Sequence, residues 1–142
     1  MFKVKIDGLE GVLKKVEKYD KALGEGVINV LSEGAENIAA NARARAPKGR
    51  TKRLANSIIA DTSQPYRKSV SVFAPHAPFV EFGTGSRVFD SPFQFTPAMK
   101  EYAMDFFVSG KGRMPAAPFL FPAYTAEIIQ IRNRLRKLFF DI

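Results

Sequence analysis

The chain opens on strict alternation, with Phe2, Val4 and Ile6 on one side and Lys3, Lys5 and Asp7 on the other. Period two is the signature of a half-buried strand, here short and edge-like. Beyond Gly8 the apolar positions Leu9, Val12, Leu13, Val16, Tyr19 and Leu23 recur at helical spacing, with Lys14, Lys15, Lys18 and Lys21 on the other side, which predicts an amphipathic helix. Gly24 and Gly26 are expected to interrupt it. A second helix is predicted through Val27, Leu31, Ala35, Ile38 and Ala42, ending before Pro47. Its Gly34, Ala35, Ala39, Ala40, Ala42, Ala44 and Ala46 permit close approach of another helix or a sheet, although the helix propensity of alanine accounts for them equally well.

Pro47, Lys48 and Gly49 form a loop, after which Thr51 can cap a short turn through Leu54 and Ala55. Ser57 to Asp61 and Tyr66 to Ala74 read as strands joined by a turn at residues 62–65, an antiparallel hairpin ended by Pro75 and Pro78. Six of the nine prolines then fall between Pro75 and Pro118, and glycines interrupt the chain at Gly83, Gly85, Gly110 and Gly112, so this stretch is expected to be mostly loop. Thr96 before Pro97 can open a helix across Met99 to Val108. Tyr124, Ile128, Ile131, Leu135 and Leu138 predict a terminal helix, and Arg132, Arg134, Arg136 and Lys137 suit its carboxyl end. The expected architecture is one α+β domain over residues 1–142. A small antiparallel sheet of three or four strands is packed by two N-terminal helices and a C-terminal helix, with residues 83–115 as a projecting loop or arm.

A length of 142 residues agrees with one domain. No stretch approaches the roughly 18 apolar residues of a membrane span, and Met1 to Gly8 lacks the apolar core of a signal peptide, so a soluble protein made in the cytosol, without a membrane partner, is expected. With Cys 0 and His76 as the single histidine, disulfides, thiolate chemistry and multi-histidine metal sites are excluded. No cofactor or metal is expected, and enzyme activity is not expected either. The formal net charge of +8 points to an acidic partner. Residues 1–42 carry six basic and seven acidic groups, whereas residues 43–75 carry eight and one, so the excess is local.

The centre of that excess is Arg43, Arg45, Lys48, Arg50, Lys52 and Arg53, with no carboxylate among them. Such a block can neutralise phosphates, face an acidic neighbouring subunit, or simply be solvated. It has no interleaved aromatic ring, so base stacking is not indicated. His76 and Glu81 could serve a hydrolase, but no nucleophile arrangement accompanies them. Gly83-Thr84-Gly85 is too short to cradle a phosphate and reads as a hinge. Phe79, Phe82, Phe119 and Leu120 sit beside prolines that fix the backbone, which suits a core or an interface.

The order of the motifs carries a resemblance. An alanine-rich helix ends in Ala-Arg-Ala-Pro, followed by Arg53-Leu54-Ala55-Asn56-Ser57-Ile58, then Ala77-Pro78-Phe79-Val80-Glu81-Phe82-Gly83-Thr84-Gly85, and finally Ala117-Pro118-Phe119-Leu120-Phe121-Pro122-Ala123 before a terminal helix. From about Leu9 to Leu138 this resembles the tail-component family of long-tailed bacteriophages, the head-to-tail joining or tail-completion proteins. Members commonly carry Thr-Gly-x-Leu where this chain has Thr51-Lys52-Arg53-Leu54, and residues 86–114 cannot be read by resemblance. The resemblance implies a non-enzymatic virion protein, assembled in the host cytoplasm. It would form a homo-oligomeric ring, a hexamer, at the neck, meeting the head connector and the tail tube or tail terminator, with transient contact to genomic DNA. Phe79, Phe82, Phe89, Phe93, Phe95, Phe106 and Phe107 are then expected at the subunit interface, since a lone molecule would have too little interior for these rings. A small basic DNA-binding protein is the alternative.

Overall fold

The computed structural model describes residues 2–6, 14, 18, 20–49, 52–65, 67–104 and 112–140. The elements are β1 (Phe2–Ile6), α1 (Lys21–Arg45), α2 (Arg53–Asn56), β2 (Ile58–Asp61), β3 (Lys68–Val72), α3 (Ala77–Phe82), a 3-10 turn (Gly85–Arg87), α4 (Pro97–Met104) and α5 (Leu120–Phe140). The three strands form one antiparallel sheet in the order β1-β3-β2, with Val4 opposite Val70 and Ile58 opposite Val72. The protein is therefore α+β, with the predicted first strand at an edge and the predicted hairpin formed.

Alternation decides which face of the sheet is covered. Phe2, Val4, Ile6, Ile58, Val70 and Val72 are buried on one face, where Val27, Leu31, Ile38 and Ala42 of α1 join them in a single core. Lys3, Ile59, Ser69 and Ser71 alternate to the other face. Both sheet edges are partly occupied: Lys3 donates its backbone N–H to the Tyr102 hydroxyl at 3.3 Å, and Arg43 donates from Nε and Nη2 to the Ile58 carbonyl at 3.1 and 2.8 Å. Such cover limits unwanted strand pairing. Lys68 is buried, and its ammonium donates to the carbonyls of Thr62 and Gln64, closing the β2–β3 turn.

Gly24 and Gly26 do not break the helix. α1 begins earlier, capped by Asp20, whose Oδ1 accepts from the Leu23 N–H at 3.0 Å, and runs through both glycines. At Gly26, and at Gly34 further along, glycine serves close packing: a Cβ at Gly26 would lie 3.1 Å from the Leu138 methyls, and one at Gly34 would lie 2.5 Å from Ile131 Cδ1. α1 and α5 thus pack antiparallel at short range, also joined by Asn37 Nδ2 to Glu127 Oε1 at 3.1 Å. The predicted helix through Leu9, Val12, Leu13, Val16 and Tyr19 lies outside the described residues, apart from Lys14 and Lys18, which are helical. The Thr51 cap and Tyr66 also lie outside them.

The expected arm at 83–115 is not an arm where it is described. Phe95 and Ala103 are buried in the core, and Val88, Phe89, Phe93, Met99 and Tyr102 pack against it. Apolar side chains every few residues pull the segment back onto its own domain instead of leaving it extended. α4 opens as predicted, with Thr96 Oγ1 accepting from the Met99 N–H at 3.2 Å.

Candidate functional site

Two features set this fold apart chemically: a buried carboxylate that joins its two halves, and a patch of cations at the carboxyl end of α1. The first is Glu81, fully buried at the end of α3. Its Oε2 accepts from the Phe119 N–H at 2.6 Å, and its Oε1 accepts from Leu120 and Phe121 at 2.8 and 2.9 Å. These amides are the free donors at the start of α5, where Pro115, Ala116, Ala117, Pro118 and Phe119 supply no Ser, Thr, Asp or Asn cap. A carboxylate from 38 residues upstream does the capping instead. Burial pushes the Glu81 carboxyl up to about 7, and the three amide donors resist that rise.

Gly83 and Thr84, expected as a hinge, continue this joint. The Thr84 N–H donates to Met114 O at 2.8 Å, the Met114 N–H donates to Thr84 Oγ1 at 2.9 Å, and Ala117 N–H donates to Val80 O at 2.8 Å. Gly83 adopts φ +82°, and a Cβ there would meet Arg87 O at 2.5 Å. A corner tied on both sides cannot swing freely, so the hinge reading is corrected. Beside it the rings of Phe2, Phe82, Phe89, Phe93, Phe95, Tyr102 and Phe121 make one aromatic cluster, with Phe82 and Phe95 5.6 Å apart and Phe93 and Phe95 5.0 Å apart. Lys100 Nζ stands 5.5 Å from the Phe89 ring centre, a cation–π contact.

That cluster revises the expected interface. Phe82 and Phe95 are buried within their own chain, while Phe79, Phe89 and Phe93 are half-buried against the same core. Phe82 links Phe89 and Phe95 to Phe2 of β1 and Phe121 of α5, an interior that no local pattern reveals. Phe106 and Phe107 lie outside the described residues. His76 is exposed at the start of α3, and its carbonyl accepts from the Phe79 and Val80 N–H groups. Glu81, by contrast, is enclosed with both oxygens engaged. Among the described residues no group of three or more His, Asp or Glu side chains could hold a metal.

The second feature is the basic block. Arg43 is committed to the Ile58 carbonyl, Arg45 Nε donates to Asn41 Oδ1 at 2.8 Å, and Lys48 Nζ donates to Ala44 O at 3.2 Å. Lys52 and Arg53 are exposed, and Arg50 lies outside the described residues. Among the described residues none of these five cations meets a carboxylate. Lys52 also holds φ +50° and ψ 29°, the left-handed region that a side chain disfavours by about 1–2 kcal/mol. Lys52→Gly is therefore expected to stabilise the fold by about 0.5–1 kcal/mol, glycine's greater freedom in the unfolded chain taking back part of the gain. Urea midpoints of the two proteins check this, and an unchanged or lower midpoint would assign the lysine side chain a stabilising role.

The family model described as bacteriophage HK97-gp10, putative tail-component, matches residues 10–83. The match spans more than half of the chain, and the chain belongs to this family of bacteriophage tail components. Its role is accordingly that of a structural part of the virion tail. Comparison with curated proteins and with solved structures found no match. The matched stretch ends at Gly83, so the joint made by Glu81 and Gly83 closes it and ties it to α5. No described helix is long and apolar enough to cross a membrane.

Proposed function

We propose that this tail component works at the head-to-tail junction. Copies form a ring, a hexamer, that completes the upper end of the tail tube and presents a docking surface to the head connector. The reading is mechanical and non-enzymatic. It is carried by membership of the tail-component family over residues 10–83. A ring under mechanical stress needs rigid subunits, and the two-sided tie between α3 and the start of α5 supports that requirement. The basic block, without carboxylate partners among the described residues, suits an acidic face on a neighbouring protein. It equally fits transient contact with the DNA that passes the junction, as the alternative of a small basic DNA-binding protein would have it.

Averaged images of phage particles test the proposal directly. The expected result is a ring with this fold between connector and tail tube, and phage lacking the protein should accumulate filled heads and separate tails. Particles that place the protein at the distal tail tip, or heads and tails that join normally without it, would overturn the neck assignment.

A further inference from the structure

The body of α1 and its carboxyl end carry opposite charge. From residue 22 to residue 42 the helix has Glu25, Glu33 and Glu36 and no cation, and all three carboxylates are exposed, away from the buried stripe of Val27, Leu31, Ile38 and Ala42. Among the described residues none of the three meets a cation. Just beyond come Arg43, Arg45, Lys48, Lys52 and Arg53, equally without a counter-charge among the described residues. A charged cluster alone is commonly only solvated. Here two clusters of opposite sign stand on different parts of one surface.

The basic end also has apolar company. Arg43 holds the Ile58 carbonyl, Ser57 accepts the Phe73 N–H at 3.1 Å and donates its own N–H to Arg53 O at 3.1 Å. These bonds bring the cations to the end of the sheet whose open face carries Ile59, 50% exposed, and Phe73, 53% exposed. Exposed apolar side chains on a face shared with Lys3, Asp61, Ser69 and Ser71 have the make-up of a docking surface, an apolar centre within a polar rim. Lys52, at the start of α2, is left-handed and exposed, with its charge at the surface.

We propose that the basic end of α1, together with Ile59 and Phe73, receives the acidic face of α1 from a second copy of this chain. The contact is heterologous: the Glu25, Glu33 and Glu36 face of one copy meets the Arg45, Lys52 and Arg53 surface of the next, leaving a free face of each kind to continue the series. Contacts of this type close into rings when the rotation permits. The inference deepens the ring reading and rests on it, but it specifies which surfaces meet.

Charge reversal of the purified full chain, read by mass photometry and sedimentation velocity at low and moderate salt, tests it. Arg43 is left unchanged because it holds the β2 edge. The wild-type chain is expected to self-associate at low salt and to weaken as salt rises. The triple variant R45E/K52E/R53E and the variant E33K/E36K should each weaken association on the order of tenfold or more, each exposed pair contributing a fraction of a tenfold factor and each reversal adding repulsion. Mixing the two variants should restore assembly, because each then offers the surface that the other lost. Circular dichroism of each variant establishes that it is folded. Ile59→Asn should weaken association without altering its salt dependence.

A chain that stays monomeric at high concentration and low salt would overturn this interface, and so would association indifferent to the reversals, or variants that fail to rescue each other. Tight binding of random duplex DNA, lost in the triple variant while self-association persists, would assign the block to DNA and overturn it too. Each of these outcomes leaves the neck assignment to be decided by the particle images.

Discussion

Glu81→Ala should lower the unfolding free energy by about 3–5 kcal/mol, the cost of leaving several buried amide donors without an acceptor. Phe119, Leu120 and Phe121 are all buried, so water cannot replace the carboxylate without opening the core. Glu81→Gln should lose less than the alanine variant. Its single carbonyl oxygen can still accept from Leu120 and Phe121, while its NH2 group is set against the Phe119 N–H. Equilibrium urea unfolding of the three proteins checks the order, and equal stability of wild type and alanine variant would remove Glu81 as the cap of α5.

The same residue ties stability to pH. The folded chain keeps a proton on Glu81 up to about pH 7, whereas the unfolded chain releases it near the ordinary value of 4.5. The folded state therefore binds the extra proton in that window. Its contribution to stability is complete below the unfolded value and is lost as pH rises through the folded one, on the order of 3 kcal/mol in all. Glu81→Gln has no such proton, so the wild type minus variant difference in unfolding free energy should fall across the window. A difference that does not change with pH, or that grows, would contradict the direction.

Gly83→Ala is the second large effect expected, a loss of about 3 kcal/mol or more, or roughly 10 °C in melting temperature. The added methyl would stand 2.5 Å from Arg87 O and 2.9 Å from both Ala116 N and Met114 O, all backbone atoms, at φ +82°. None of these is a flexible tip that can turn aside. The corner would have to open, which separates α3 from the segment that leads into α5. Calorimetry of the variant settles it, and a melting temperature within a degree or two of wild type would show that the corner has room to spare.

Local pattern made much of this fold legible. Alternation at Phe2, Val4 and Ile6 and at Val70 and Val72, helical spacing in α1 and α5, and Thr96 before Pro97 each encode structure within a few residues, where backbone geometry alone decides which side chains share a face. The order of motifs was enough to point to a phage tail component. The cationic block was equally plain, because charge is written directly in residue type.

Everything joined across long separations required the folded chain. Gly24 and Gly26 look like breaks until Leu138 is seen to occupy the space beside Gly26, and Phe89, Phe93 and Phe95 look like knobs for a neighbour until Phe82, itself packed on Phe2 and Phe121, is found against Phe89 and Phe95. Glu81 resembles any carboxylate beside an apolar run, and the only local hint of its task lies far away, in the uncapped start of α5. Periodicity reports how a segment divides its surface between apolar and polar. Which apolar surfaces meet, and which buried donor finds which acceptor, is decided by packing and desolvation in the assembled core.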